Sequence, residues 1–213
     1  MKLICFDCDS TLSQIEGVDE LADARGPEVK QQIIDLTNQA MSGETPIEDI
    51  FGKRLDLIQP TQQACEEVGQ LYIDKMAAGA KDAISTLTAE GWKVIIISGG
   101  FIAPIQPFAE YLGIDEIYAV PLQFAQDGSY EGFTASPTTR NGGKPEIITE
   151  LLQKYNPEYS VMVGDGVSDL ECQGVVDLFI GYGEFEKREK VLQSAQSFAH
   201  SFEEILKIVQ ANA

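Results

Sequence analysis

Five short stretches of the chain are apolar on both faces: residues 3–6, 93–97, 117–120, 160–163 and 178–180. They are rich in Ile and Val, the pattern of strands buried on both sides in a parallel sheet. Segments with helical spacing alternate with most of them. Residues 81–90 lead into the second stretch, 145–155 lead into the fourth, and 203–210 close the chain. The alternation predicts an α/β fold with a doubly wound, Rossmann-like, mostly parallel sheet.

Residues 14–76 interrupt that rhythm with no strand pattern. They read as helices at 18–24, 27–41, 46–58 and 60–78, and the last three open on Pro27, Pro46 and Pro60. Proline suits a first helical turn, where its missing N–H has no partner to lose. Gly26 and Gly43 separate these segments. The expected organisation is an α/β core of residues 1–13 and 77–213, with a small helical cap of residues 14–76 inserted after the first strand. A second insertion is expected at 123–133, where Asp127-Gly128 is placed as in a β-hairpin turn.

The 213 residues fit one domain, or a core with an insert, and are enough to bury a core without staples. The chain has 34 acidic and 15 basic side chains, a formal charge of −19. That field repels nucleic acid and anionic membranes, so neither is expected as a partner. It also repels an anionic small substrate, which would need a cation or specific basic residues at its site. The apolar run before Asp7 is too short for a secretory signal, and none approaches the roughly 18 residues of a membrane span. Cys5, Cys8, Cys65 and Cys172 do not resemble a disulfide framework, so a reducing, cytoplasmic protein is expected. Cys5 and Cys8 are spaced C-x-x-C, but on a strand such positions point opposite ways. The plainer reading is two separate cysteines. With His200 as the only histidine, no zinc-like cluster is expected.

Candidate chemistry gathers where strands end. Asp7 and Asp9 follow the first strand, two residues apart, so both carboxylates can face one pocket beyond the sheet's C-terminal edge. Two adjacent acids repel. A divalent cation would relieve them, as would a shared proton or exposure to water. The fourth strand runs into Gly164-Asp165-Gly166 and then Asp169. If the two strands are neighbours, four carboxylates converge, and hard oxygen ligands suit magnesium. The second strand ends in Ser98-Gly99-Gly100, offering a hydroxyl and open N–H groups to an anion. Lys144 precedes Pro145 at a helix start, where it opposes the helix dipole but suits a bound anion.

Taken in order, these pieces resemble the haloacid dehalogenase superfamily of phosphohydrolases. Asp7-Cys8-Asp9-Ser10-Thr11 matches its first motif, Ser98 the second, Lys144 the third and Gly164–Asp169 the fourth. VDELA after the first motif, AMSGETPIEDIFGKRLDLIQP in the insert and SGGF at the second motif resemble the phosphoserine phosphatase family. The resemblance implies that Glu16 contacts a substrate amine, that Arg54 contacts its carboxylate, and that Met41 and Phe51 close over the site. It implies Asp7 as nucleophile, Asp9 as acid and then base, and Ser98, Gly99 and Lys144 as phosphate ligands. It also implies Mg2+ held by Asp7, Asp165 and the backbone carbonyl of Asp9, with Asp169 behind them. Where the family usually has asparagine, this chain has Ser168, whose shorter side chain leaves a gap for water or a shifted substrate.

The expected activity is a magnesium-dependent phosphomonoester hydrolase acting on phosphoserine, in serine biosynthesis, as a monomer or homodimer. Three other readings stand beside it. One is an enzyme of the same superfamily acting on another small phosphate ester. Another is a receiver domain phosphorylated on aspartate, though receivers lack a helical insert and a second acid at this spacing. The third is a silent phospho-ligand binding protein.

Overall fold

A computed structural model describes residues 1–41 and 47–213, with side chains described outside 37–47. Its strands are β1 (Lys2–Phe6), β2 (Trp92–Phe101), β3 (Ile117–Val120), β4 (Leu122–Phe124), β5 (Tyr130–Phe133), β6 (Ser160–Gly164), β7 (Leu178–Tyr182) and β8 (Ser197–Ala199). Six of them form one sheet in the order β3-β2-β1-β6-β7-β8, every neighbouring pair parallel. β1 lies inside, with Phe6 opposite Ile96 on one side and Val163 on the other. The chain winds outward from β1 in one direction and from β6 in the other. The gap between these strands is therefore the switch point where open α/β sheets hold ligands. β4 and β5 form the expected hairpin as a separate antiparallel pair.

The sheet separates two apolar layers. Ile4, Phe6, Val94, Ile96, Val161 and Val163 face one, while Leu3, Cys5, Ile95, Ile97, Met162 and Phe179 face the other. Cys5 and Cys8 belong to opposite layers, so the C-x-x-C spacing brings no thiol pair together.

In the segment inserted after β1 the chain forms α1 (Gly17–Asp23), α2 (Pro27–Met41), α3 (Ile47–Ile58) and α4 (Gln62–Asp74). The remaining helices are α5 (Ala80–Ala89), α6 (Ile102–Leu112), α7 (Gly143–Tyr155), α8 (Val167–Leu170), α9 (Glu189–Ser194) and α10 (Phe202–Asn212). α4 and β2 depart most from the expected bounds. α4 is shorter than 60–78, because the Thr61 hydroxyl caps it by accepting the Ala64 N–H at 3.1 Å. Its far end stops where Met76 pairs with Ser13. β2 runs on past the expected 93–97, through Ser98-Gly99-Gly100 to Phe101, which pairs with Val120 after a register shift. The Pro46 helix start and the Met41 side chain lie outside the described residues.

The segments that enter and leave the inserted helices are bonded to each other. Gln14 N–H donates to the Lys75 carbonyl at 3.0 Å, and Ala77 N–H to that of Leu12 at 2.9 Å. At the base of the sheet, Glu116 accepts from Tyr118 and Lys154 at 2.8 Å and from Tyr155, with Lys93 at 3.4 Å. Among the described residues no helix is long and apolar enough to cross a membrane.

Candidate active site

β1 ends at Phe6, and residues Cys8–Leu12 wind into a wide turn closed by Ser13 N–H on the Cys8 carbonyl at 3.1 Å. Ser10 takes a left-handed conformation inside it, with φ 49°. The turn fixes the two acids in different surroundings. Asp7 is 8 % exposed, and its Oδ1 accepts from Cys8 N–H at 2.8 Å and lies 2.9 Å from Lys144 Nζ. Asp9 Oδ1 accepts from the Tyr72 hydroxyl at 2.5 Å and from Gly17 N–H at 2.7 Å, while Oδ2 accepts from the Ser98 hydroxyl at 3.2 Å. Enclosure by protein pushes the Asp9 carboxyl up to about 6, with neighbouring Asp7 adding to the effect and the three donors opposing it.

β6 delivers the second pair of acids beside the first. Lys144, in the first turn of α7, turns inward and places Nζ 2.6 Å from Asp169 Oδ1. Burial alone would favour loss of its proton, but Asp169 and Asp7 outweigh burial and raise its pKa above the ordinary value. Asp169 Oδ2 accepts Gly166 N–H at 2.9 Å. Gly164 makes room for this, since a β-carbon there would overlap the Asp169 carboxyl group. Asp165 accepts from Thr11 at 3.4 Å and from Arg188 Nε at 3.0 Å.

Asp7, Asp165 and Asp169 each offer an oxygen, all within 4.8 Å of one another. Three hard carboxylate donors in that span suit a divalent cation. The local charge favours one: burial, and then Asp7, push the Asp165 carboxyl upward even with Arg188 attached. The Asp9 carboxylate stands outside this cluster, both its oxygens being engaged elsewhere; only its backbone carbonyl was expected at the cation. Asp169, expected behind the cation, offers an oxygen within the cluster.

The remaining expected residues surround this centre. Ser98 is fully buried, and Gly100 N–H donates to its hydroxyl at 2.9 Å. Gly99 follows in β2, half-buried. Glu16, at the N-terminus of α1, accepts from the Ser10 hydroxyl at 2.6 Å. Crowding by protein, and then Asp9, push its carboxyl upward. Arg54 lies 5.4 Å over the Phe51 ring, and its buried Nε has no hydrogen-bond partner among the described residues. Phe51 is buried against Phe133 at 5.4 Å and Phe101 at 6.1 Å, joining α3 to the hairpin and to the end of β2. Ser168 is exposed on α8.

Sequence reasoning missed Arg188 and Tyr72. Arg188 sits in a run of charges that reads as solvated, and its signal was position: it follows β7 at the edge where the acids lie. Tyr72 falls at the apolar spacing of α4 with Cys65, Val68 and Gly69, and its signal was a hydroxyl on a buried face.

A family model described as a haloacid dehalogenase-like hydrolase matches residues 1–172. The phosphoserine phosphatase of Drosophila melanogaster is 38% identical over 212 residues, covering 96% of this chain and 77% of its own length. The chain belongs to the haloacid dehalogenase-like hydrolases, in the phosphoserine phosphatase family. Solved structures agree. A phosphoserine phosphohydrolase-like protein from Francisella tularensis superposes with a TM-score of 0.84 at 29% identity, over 98% of this chain and all of its own. A phosphoserine phosphatase solved as an analogue of its phospho-aspartyl intermediate gives 0.80 at 28% identity, over 97% and 98%. This family member is therefore an enzyme, a hydrolase.

Proposed function

We propose that the chain hydrolyses O-phospho-L-serine to L-serine and phosphate through an aspartyl-phosphate on Asp7. The observation that carries the reading is the contrast between two carboxylates two residues apart: Asp7 is paired with Lys144, and Asp9 is held by three donors with its carboxyl pushed up to about 6. One is placed to attack and the other to carry a proton at working pH. The relatives' phosphoserine phosphatase activity and the phospho-aspartyl analogue of one of them support it.

An Asp7 oxygen attacks phosphorus and forms the new P–O bond. The bond from phosphorus to the seryl oxygen breaks as Asp9 gives that oxygen its proton. Asp9, now ionised, takes a proton from the water that attacks the acyl phosphate, and the Asp7 carboxylate is restored. Lys144 and Ser98, with the Gly99 N–H, are assigned the phosphoryl oxygens. Asp7 and Asp165, with the Asp9 backbone carbonyl, would hold Mg2+, and Asp169 would hold Lys144 in place. A bound magnesium ion supplies charge neutralisation between the nucleophile and the phosphate.

Residues 14–76 act as the lid and specificity element over the core of residues 1–13 and 77–213. The paired strands of chain at Gln14–Lys75 and Leu12–Ala77 are its hinge. Phosphoserine presents an ammonium, a carboxylate and a phosphate. Glu16 matches the first and Arg54 the second, with the Arg54 Nε, unpartnered among the described residues, as the supporting observation. Met41 and Phe51 close the apolar side. Four buried cysteines without a disulfide support a reducing, cytoplasmic setting, and the reaction would be the last step of serine biosynthesis. The charge of −19 supports a small-molecule substrate over nucleic acid or membrane, for a monomer or homodimer.

The test is phosphate release from L-phosphoserine and a panel of other phosphomonoesters, with and without Mg2+, beside Asp7→Asn. Magnesium-dependent turnover of phosphoserine, lost in the variant, is expected. Turnover of other esters alone would sink the roles of Glu16 and Arg54, with Ser168 the first residue to examine. No turnover of any ester would leave a silent binding protein.

A further inference from the structure

Tyr72 has no part in the mechanism above, yet its hydroxyl makes the shortest bond that Asp9 receives. The side chain is fully buried on α4, and its ring stacks on Phe108 of α6 with centroids 5.6 Å apart and planes 10° from parallel. That packing fixes the ring and so aims the hydroxyl. Next to it, Gly17 contributes an N–H to the same Asp9 oxygen. A β-carbon on Gly17 would overlap the Tyr72 hydroxyl, so the glycine and the tyrosine fit each other. Glycine disfavours the helix it opens here, and the room it leaves for the hydroxyl is the compensation.

We propose that Tyr72 and Gly17 are positioning residues that lock Asp9 Oδ1 as an acceptor, so that Oδ2 alone carries the proton exchanged with the leaving group. Two donors already point at Oδ1, and a proton placed there would meet the fixed Gly17 N–H head-on and force the Tyr72 hydroxyl to turn its hydrogen away. Among the described residues Oδ2 receives only the longer bond from Ser98, at 3.2 Å. Gly100 keeps its surroundings open, since a β-carbon there would stand 3.0 Å from Oδ2. The inference rests on Asp9 being the acid of the proposed reaction. It also places a residue of the inserted helices on the proton-transfer group. The Tyr72 carbonyl accepts the Ser13 hydroxyl at 3.2 Å, so the hinge and this contact share one residue.

The experiment is Tyr72→Phe, which keeps the ring, assayed by kcat/KM on two substrates. Phosphoserine has an alkyl leaving oxygen that needs a proton, whereas p-nitrophenyl phosphate releases an oxygen that departs without one. We expect kcat/KM to fall about 10- to 100-fold on phosphoserine, and by no more than about threefold on the aryl ester. Gly17→Ala, which displaces the hydroxyl, should reproduce that selectivity even if Tyr72→Phe folds poorly. Equal losses on both esters, or no loss on phosphoserine, would overturn the proposal. If the wild type ignores phosphoserine but cleaves another alkyl phosphate, the substrate reading fails. The same ratio, measured on that ester, then decides the role of Tyr72.

Discussion

Lys144 and Asp169 meet at 2.6 Å with both side chains almost wholly removed from water. The same ammonium lies 2.9 Å from Asp7, so one cation from α7 stands between acids delivered by β1 and β6. Removing it would leave two buried carboxylates facing each other. Lys144→Met should lower stability by about 3 kcal/mol near neutral pH, since breaking a buried pair strands the partner charge. The loss should shrink as the pH is lowered and Asp169, whose carboxyl burial and then Asp7 push upward, takes up a proton. Chemical denaturation at several pH values checks both statements, and a loss independent of pH would point to packing instead.

Gly164 and Asp169 make a second, steric prediction. The Asp169 carboxyl group fills the space a side chain at 164 would need. Gly164→Ala should cost about 1–3 kcal/mol by overpacking. It should also lower kcat more than a surface substitution of equal thermodynamic effect, because Asp169 cannot move without releasing Lys144. Thermal melts beside steady-state assays separate the two effects.

How much of this was visible in the sequence depends on what each residue contributes. Asp7, Asp9, Asp165 and Lys144 were legible because each breaks an apolar or helical pattern at its end, where a charge is conspicuous. Glu16, Phe51 and Arg54 stand in ordinary amphipathic surroundings, and only their resemblance to a family singled them out. Tyr72 obeys the apolar spacing of α4, so nothing in the pattern distinguishes a hydroxyl aimed at Asp9 from a core aromatic. β8 has three residues, too few for a period to show. Arg188 reaches Asp165 from a loop whose path is set by tertiary packing rather than local preference.

That arginine gives a third prediction. Arg188 Nε donates to Asp165 Oδ2 at 3.0 Å, on a carboxylate that the proposed cation would share. Arg188→Met removes both the competitor and a neighbouring positive charge. Substrate-free protein should then bind Mg2+ about five- to tenfold more tightly by titration calorimetry. Weaker binding would show that Arg188 orients Asp165 rather than competing for it.

The fourth prediction lies away from the site. Partial burial pushes the Glu116 carboxyl upward, but hydrogen bonds from Lys154, Tyr155 and Tyr118 outweigh it and hold the group at about 2, against an ordinary value of 4.5. A depressed folded-state pKa gives stability that is complete above the unfolded value and fades as pH falls from about 5 towards 2. After allowing for solvent screening, wild type should exceed Glu116→Gln by about 1 kcal/mol at pH 7. That margin should narrow at pH 3.5, as read from urea melts at both values.

The central place of β1 has a consequence for how the molecule is made. β1, made before every other strand of its sheet, pairs with β2, which begins at Trp92, and with β6, which begins at Ser160. Until those segments follow, its apolar residues have no sheet to enter, and contacts so distant in sequence form slowly. Synthesis therefore passes through a long interval in which a sticky strand is unpartnered, the state from which misassembly starts. The helices encoded between β1 and β2 are the first structure available to shield it.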